Sequence, residues 1–107
     1  MAYALHIERP QNAPISLEEW LELARSDASF SPETGDLTSP SGERVHIPVA
    51  GLFLWQGPKG VVALFDWRRG KVSVGNPSEA AIAKMVEVAG HLKAAVFGDE
   101  GEAYGPD

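Results

Sequence analysis

Apolar and polar positions alternate first near the N-terminus. Tyr3, Leu5 and Ile7 fall on one side and Ala4, His6 and Glu8 on the other. That period of two predicts a half-buried strand, stopped at Pro10. After the loop Gln11-Asn12-Ala13-Pro14 the period changes. Leu17, Trp20, Leu21 and Ala24 recur at i, i+3, i+4 and i+7, with Glu18, Glu22 and Arg25 opposite, predicting a helix over about 16–26. Ser16 and Glu19 have capping-box spacing, and Ile15 and Trp20 occupy the positions of a hydrophobic staple. Glutamates crowd the first turns, where the helix dipole favours negative charge.

Residues 27–43 lose this order. Ser, Pro, Gly, Asp, Glu and Thr dominate, with Phe30 and Leu37 as the anchors, so the stretch reads as a long loop of the kind that is either functional or mobile. Strand patterns return at Val45–Ile47, stopped by Pro48, and continue at Leu52–Gln56 after Gly51. Gly57-Pro58-Lys59-Gly60 turns the chain into Val61–Trp67, and Arg68-Arg69-Gly70 turns it into Lys71–Gly75. Two hairpins in succession predict an antiparallel meander with Val61–Trp67 at its centre. The unbroken apolar run there predicts burial on both faces over part of its length.

A second helix is expected at about 77–93, with Asn76 as cap, Pro77 at the first helical position and Glu79 in the first turn. Ile82, Met85, Val86, Ala89 and Leu92 form its apolar stripe, and Glu79, Lys84, Glu87 and Lys93 turn outward. Gly90 interrupts the pattern. Ala94–Phe97 reads as a last short strand, followed by an acidic tip and a frayed tail at 105–107. The fold expected is α+β, a single domain over 1–107 in the order β-α-β-β-β-α-β, with two helices packed on an antiparallel sheet.

Composition narrows the function classes. At 107 residues the chain suits one core, and 44% hydrophobic with 22% charged residues is an ordinary globular balance. It holds no cysteine, which excludes disulfides, thiolate nucleophiles and cysteine-ligated metals. The first residues lack a basic segment and a long apolar run, so a cytoplasmic location is expected. The net charge of −6 argues against nucleic acid and anionic membranes as partners. Asp99, Glu100, Glu102 and Asp107 stand in the last nine residues without a Lys or Arg, while the first 98 carry 11 acids against 9 bases.

Candidate chemistry is sparse. His6, His46 and His91 have no metal-ligand spacing, and no acidic residue is placed in sequence to complete a triad with them. There is no Gly-x-Ser-x-Gly elbow, P-loop or dinucleotide fingerprint. No catalytic residue, cofactor or metal is expected, and the chain is read as a non-enzyme. The acidic run Asp99-Glu100-Gly101-Glu102, with Tyr104 beside it, suits steering of a basic protein partner. Those three acids are expected to matter for binding and hardly for stability. Trp55 or Trp67 is a candidate exposed anchor, and Asp66 a charged hairpin tip that pairs with Arg68 or Arg69.

Several pieces taken together carry a resemblance. They are Tyr3–Ile7, Pro14-Ile15-Ser16-Leu17-Glu18-Glu19-Trp20, Gly42-Glu43 with Ile47-Pro48, Phe65-Asp66-Trp67 and Gly70-Lys71-Val72. Asn76-Pro77, Ile82-Ala83-Lys84-Met85 and Gly98-Asp99-Glu100-Gly101-Glu102-Ala103-Tyr104 follow. In this order they resemble short bacterial proteins similar to the immunity proteins of polymorphic toxin systems, contact-dependent and type VI. The resemblance implies an α+β fold and an antitoxin role, neutralising a cognate toxin by stoichiometric binding. Asp99, Glu100, Glu102, Tyr104, Trp55 and Asp66 are the expected contact residues. The alternatives are a structural or regulatory homodimer paired through a strand edge or Trp55, and a small enzyme. An enzyme requires a concave pocket with converging titratable groups.

Overall fold

The computed structural model describes residues 3–38, 42 and 44–104, with 34–38 and 44–49 described in backbone only. It is α+β, with two helices packed on one antiparallel sheet, as the hydrophobic periods predict. The elements are β1 (Ala4–Glu8), α1 (Leu17–Ser26), β2 (Phe30–Thr38), β3 (Arg44–Gln56), β4 (Val62–Arg68), β5 (Lys71–Gly75), α2 (Glu79–Leu92), β6 (Ala95–Gly98) and β7 (Ala103–Tyr104). The seven strands run in the order β2-β3-β4-β5-β1-β6-β7.

Two strands extend the expected set. The stretch 27–43, expected as a loop, contains β2, which pairs with β3 along its length through a register shift between Pro32 and Thr34. Its polar composition is that of an edge strand, where only one neighbour must be satisfied. Pro48 does not stop β3 either. There β3 is paired with β2, while its pairing with β4 begins only at Leu52, and proline is tolerated where a ladder has one free side. The expected frayed tail at 105–107 lies outside the described residues.

The helices end where local chemistry says. Ser16 and Glu19 form the capping box, the Ser16 hydroxyl accepting from the Glu19 N–H at 3.1 Å and the Glu19 carboxylate accepting from the Ser16 N–H at 3.1 Å. The cap of α2 is Ser78, whose hydroxyl accepts from Ala81 N–H, and not Asn76. Asn76 is spent elsewhere. Its φ is +45°, its side-chain oxygen accepts from Tyr3 N–H at 2.9 Å, and its own N–H donates to the Tyr3 carbonyl at 2.6 Å. The buried stripe of α2 is Ala81, Met85, Val88, Ala89 and Leu92, a slight rotation from the expected one that leaves Ile82 and Val86 at its border.

All large buried strand residues point to one face. Leu5, Ile7, Val72, Val74, Phe53, Trp55, Phe65, Phe30 and Val96 join the helical residues in one cluster. Trp20 sits at its centre, fully buried, with Phe30 and Phe53 edge-on at 5.3 and 5.6 Å and Phe65 stacked at 6.1 Å. Its indole N–H donates to the Gly51 carbonyl at 2.9 Å, so the ring enters the core with no unpaired donor. Trp55 packs into this core against Phe65 and is 5% exposed, which overturns its reading as a surface anchor. Trp67 is half-buried and donates its indole N–H to the Ile15 carbonyl at 2.9 Å, so it is anchored inward too.

Lys84, expected on the outer face of α2, is tucked to 12% side-chain exposure. Its ammonium donates to Asp27 and Glu87, both at 2.6 Å, and lies 5.5 Å from the centre of the Phe30 ring. The pair Asp27–Lys84 joins the end of α1 to α2. The β4–β5 connection is a two-residue turn with φ of +52° at Arg69 and +85° at Gly70. A side chain at Gly70 would meet Pro14 at 2.6 Å, so glycine lets the hairpin dock under the loop before α1.

Trp20→Ala removes the centre of the aromatic cluster and leaves the Gly51 carbonyl unpaired. A loss of about 3–5 kcal/mol is expected, read from the midpoint of urea denaturation. The Asp27 carboxyl is held down at about 2, by the Lys84 ammonium first and the Ser29 hydroxyl second. Because its folded value lies below its unfolded one, its contribution is complete above about pH 4 and fades as pH falls toward 2. Asp27→Asn should therefore lower stability at pH 7 and flatten the acid limb of a melting-temperature profile between those values.

Candidate functional site

Period-two burial on one face leaves the other face of the sheet to solvent. No helix among the described residues lies on it, since α1 and α2 share the buried cluster. In β4, Val62 and Leu64 stand on this open face at 57% and 48% exposure. Leu64 is cross-strand from Leu54, and half-buried Leu52 lies two residues before Leu54 on the same strand. The burial expected on both faces of this strand is therefore corrected: Phe65 alone is fully buried, and the outward Val62 and Leu64 form an apolar patch.

Beside the patch runs a row set by strand register. Leu52, Asp66, Ser73, His6 and Phe97 are successive cross-strand partners on β3, β4, β5, β1 and β6. Asp66 accepts from the Arg68 Nε at 2.8 Å, as one expected pairing had it. Its second oxygen is buried and has no partner among the described residues. The His6 ring bridges two strands and a turn. Its Nδ1 is 2.6 Å from the Ser73 hydroxyl and its Nε2 is 2.7 Å from an Asp99 carboxylate oxygen. The other Asp99 oxygen accepts from Ala4 N–H at 2.9 Å.

The acidic tip is built into the fold. Residues 99–102 form the turn between β6 and β7. Asp99, 43% exposed, is committed to Ala4 and His6, and Glu102 accepts from the Tyr3 hydroxyl. Glu100 is exposed at the turn, and Tyr104 pairs with Val96 and packs partly into the core. A side chain at Gly98 would overlap both the Glu102 carboxylate and the Tyr3 hydroxyl, so glycine there lets the two cross the backbone. Asp99 and Glu102 are thus bracing groups as well as surface charges, contrary to the expectation that they hardly bear on stability.

These bonds tune the groups. The Ala4 N–H and then the His6 ring hold the Asp99 carboxyl below its ordinary value. The Glu102 carboxylate pushes the Tyr3 phenol well above its usual range, so it stays protonated and donating. An ionised Asp99 only accepts, which places the hydrogen on His6 Nε2. In neutral imidazole Nδ1 is then the acceptor, and Ser73 donates to it.

Next to these bonds is a cleft of about 310 Å³ lined by His6, Glu8, Lys71, Phe97, Gly98, Asp99 and Gly101. Phe97 and Glu8 also border a neighbouring hollow of about 560 Å³ that reaches Pro10 and Lys93. Lys71 lies 3.8 Å from the Glu8 carboxylate. Titratable groups therefore converge on a concave surface. Asp99 completes with His6 and Ser73 the arrangement that sequence spacing did not suggest, because the three lie on β1, β5 and the β6–β7 turn. Of the expected contact residues, Asp99, Glu100, Glu102 and Asp66 share the open face or its end, while Trp55 is in the core. Among the described residues, no group of three or more His, Asp or Glu side chains is placed to hold a metal ion.

Compared with known proteins, the chain matches no family model, no curated protein and no solved structure. No helix among the described residues is long and apolar enough to cross a membrane.

Asp99→Ser should loosen the β6–β7 turn from β1 and lower the denaturation midpoint at pH 7. The depressed folded value means that the carboxylate's contribution is present at neutral pH and lost in acid. The gap between variant and wild type should therefore narrow by pH 3. A gap that is constant with pH would count against the bond to the ionised carboxylate.

Proposed function

We propose that this chain is a small cytoplasmic binding protein of the immunity or antitoxin kind, which neutralises a cognate toxin by stoichiometric association. The observation that carries this reading is the open sheet face, where, among the described residues, Val62 and Leu64 are the large apolar side chains left most exposed. Val62 and Leu64 lie two residues apart on this face with Leu54 and Leu52 beside them, and contiguous exposed apolar side chains support a contact-surface reading. The acidic surface sets the partner's character. With a net charge of −6 and the rigidly held acids of the β6–β7 turn, the chain favours a partner with a basic rim around an apolar centre. The resemblance to immunity proteins points the same way.

The apolar patch also suits pairing with a second copy, a regulatory homodimer. Light scattering separates the two, because a dimer through this face gives a mass that depends on concentration. Trp55, buried, takes no part in either complex.

The direct test is co-expression with the product of the adjacent reading frame. Wild type should rescue growth and co-purify with that product at one to one. The double variant Val62→Asp, Leu64→Asp should weaken the complex at least tenfold while keeping its circular dichroism spectrum, since central apolar anchors each carry about 1–3 kcal/mol. A wild type that neither rescues growth nor co-purifies defeats the reading.

A further inference from the structure

The binding reading makes no use of the most chemically specific arrangement on the open face. Asp99 is fixed by Ala4 N–H, His6 is fixed by Asp99, and the other ring nitrogen lies 2.6 Å from the Ser73 hydroxyl, which it accepts from in the Nε2–H tautomer. A histidine that only tied the β6–β7 turn to β1 would need Nε2 alone. The hydroxyl on the second nitrogen adds a nucleophile whose proton has a destination. From this geometry we propose that Ser73, His6 and Asp99 form a nucleophile–base–orienter relay that accepts acyl or phosphoryl groups from small uncharged esters seated in the adjoining cleft, which His6 and Asp99 line and beside which Ser73 stands.

Roles define such a relay, and the two ring nitrogens are exchanged here relative to the serine-protease arrangement, in which serine meets Nε2. Asp99 does the orienter's work. It holds the Nε2–H tautomer and stabilises the imidazolium that forms when Nδ1 takes a proton. Ser73 Oγ attacks the ester carbonyl carbon as its proton passes to His6 Nδ1. The bond to the alcohol oxygen breaks, that oxygen takes the proton back from Nδ1, and the alcohol leaves Ser73 as an acyl ester. Water then gives a proton to Nδ1 and attacks the acyl carbon. The carboxylic acid departs and Ser73 recovers its proton.

The surroundings limit the substrate. A cleft of about 310 Å³ with Phe97 as an aromatic wall suits a short acyl or aryl group, and Glu8 and Asp99 at its border disfavour anions. Lys71 lines the same cleft and is the cation that can face a developing oxyanion. The backbone of Ser73 lies between His6 and Asp66 in the strand ladders. Backbone oxyanion donors, each worth about 10²–10³ in rate, are therefore missing at the nucleophile itself. Turnover should be slow, which makes the covalent adduct a better readout than product formation.

The test uses diisopropyl fluorophosphate on the free, full-length protein, followed by intact mass and peptide mapping. Wild type should gain one diisopropylphosphoryl group on Ser73, with loss of fluoride. His6→Gln should slow labelling by about 10²-fold or more, the contribution of a positioned general base. No adduct on Ser73 of folded wild type overturns the proposal. So does labelling at an unchanged rate in a His6→Gln protein with native circular dichroism. Labelling needs no protein partner, so either failure leaves the antitoxin reading untouched, and loss of complex formation leaves this one untouched.

Discussion

Both helices press on the same side of the sheet, and the burial of Trp20 fixes which side that is. Its ring meets Phe30, Phe53 and Phe65 from three strands and its N–H is satisfied by the Gly51 carbonyl. Strand residues of the same parity must therefore face inward. Two helices of 10 and 14 residues do not also cover a seven-stranded sheet from its far side. Antiparallel sheets tolerate that, provided the outer positions are mostly polar. Ser31, Gln56, Arg68, Lys71, Ser73, His6 and Glu8 meet the requirement, and Val62 and Leu64 do not.

The order of the strands turns this alternation into a site. β5, β1 and β6 are neighbours although they come from the middle, beginning and end of the chain, so their outward residues form one row. Three ties hold the row in place: Asn76 on Tyr3, Asp99 on Ala4, and Glu102 on the Tyr3 hydroxyl. The turn that carries the acids is thereby clamped to β1 at both ends. A clamped turn loses little conformational freedom when something binds to it, and a clamped carboxylate keeps an imidazole in one tautomer.

What the sequence shows well is local. The capping box at Ser16 and Glu19, the helical recurrence through Trp20 and Ala24, and the alternation in β1 each need only neighbours within a few residues. β2 escapes such a reading because an edge strand need not be apolar, and its Ser, Pro, Glu, Thr, Gly and Asp look like loop. The cap of α2 shifts from Asn76 to Ser78 because Asn76 is claimed by Tyr3, 73 residues away. Trp55 reads as a strand-end anchor until Phe65 is placed beside it. The His6 contacts with Ser73 and Asp99 were the least legible, since these partners are 67 and 93 residues distant. A usable signal was the parity of His6 and Ser73, both outward on strands that the hairpin pattern left unassigned as neighbours.

The acidic turn and the apolar patch divide the proposed recognition unequally. Exposed charges at the turn are screened within about 8–10 Å at physiological salt and act mainly on the rate and orientation of encounter. Burying a valine or leucine side chain contributes about 1.5–3 kcal/mol, so Val62 and Leu64 together outweigh any single surface ion pair, worth about 0–1 kcal/mol. Asp99 and Glu102 are moreover engaged within the fold already, which reduces what each can offer a partner. In the proposed complex, affinity would therefore rest on β3 and β4, toward the β2 edge of the sheet. In the proposed complex the C-terminal turn, where the charge is densest, would guide the partner to that face.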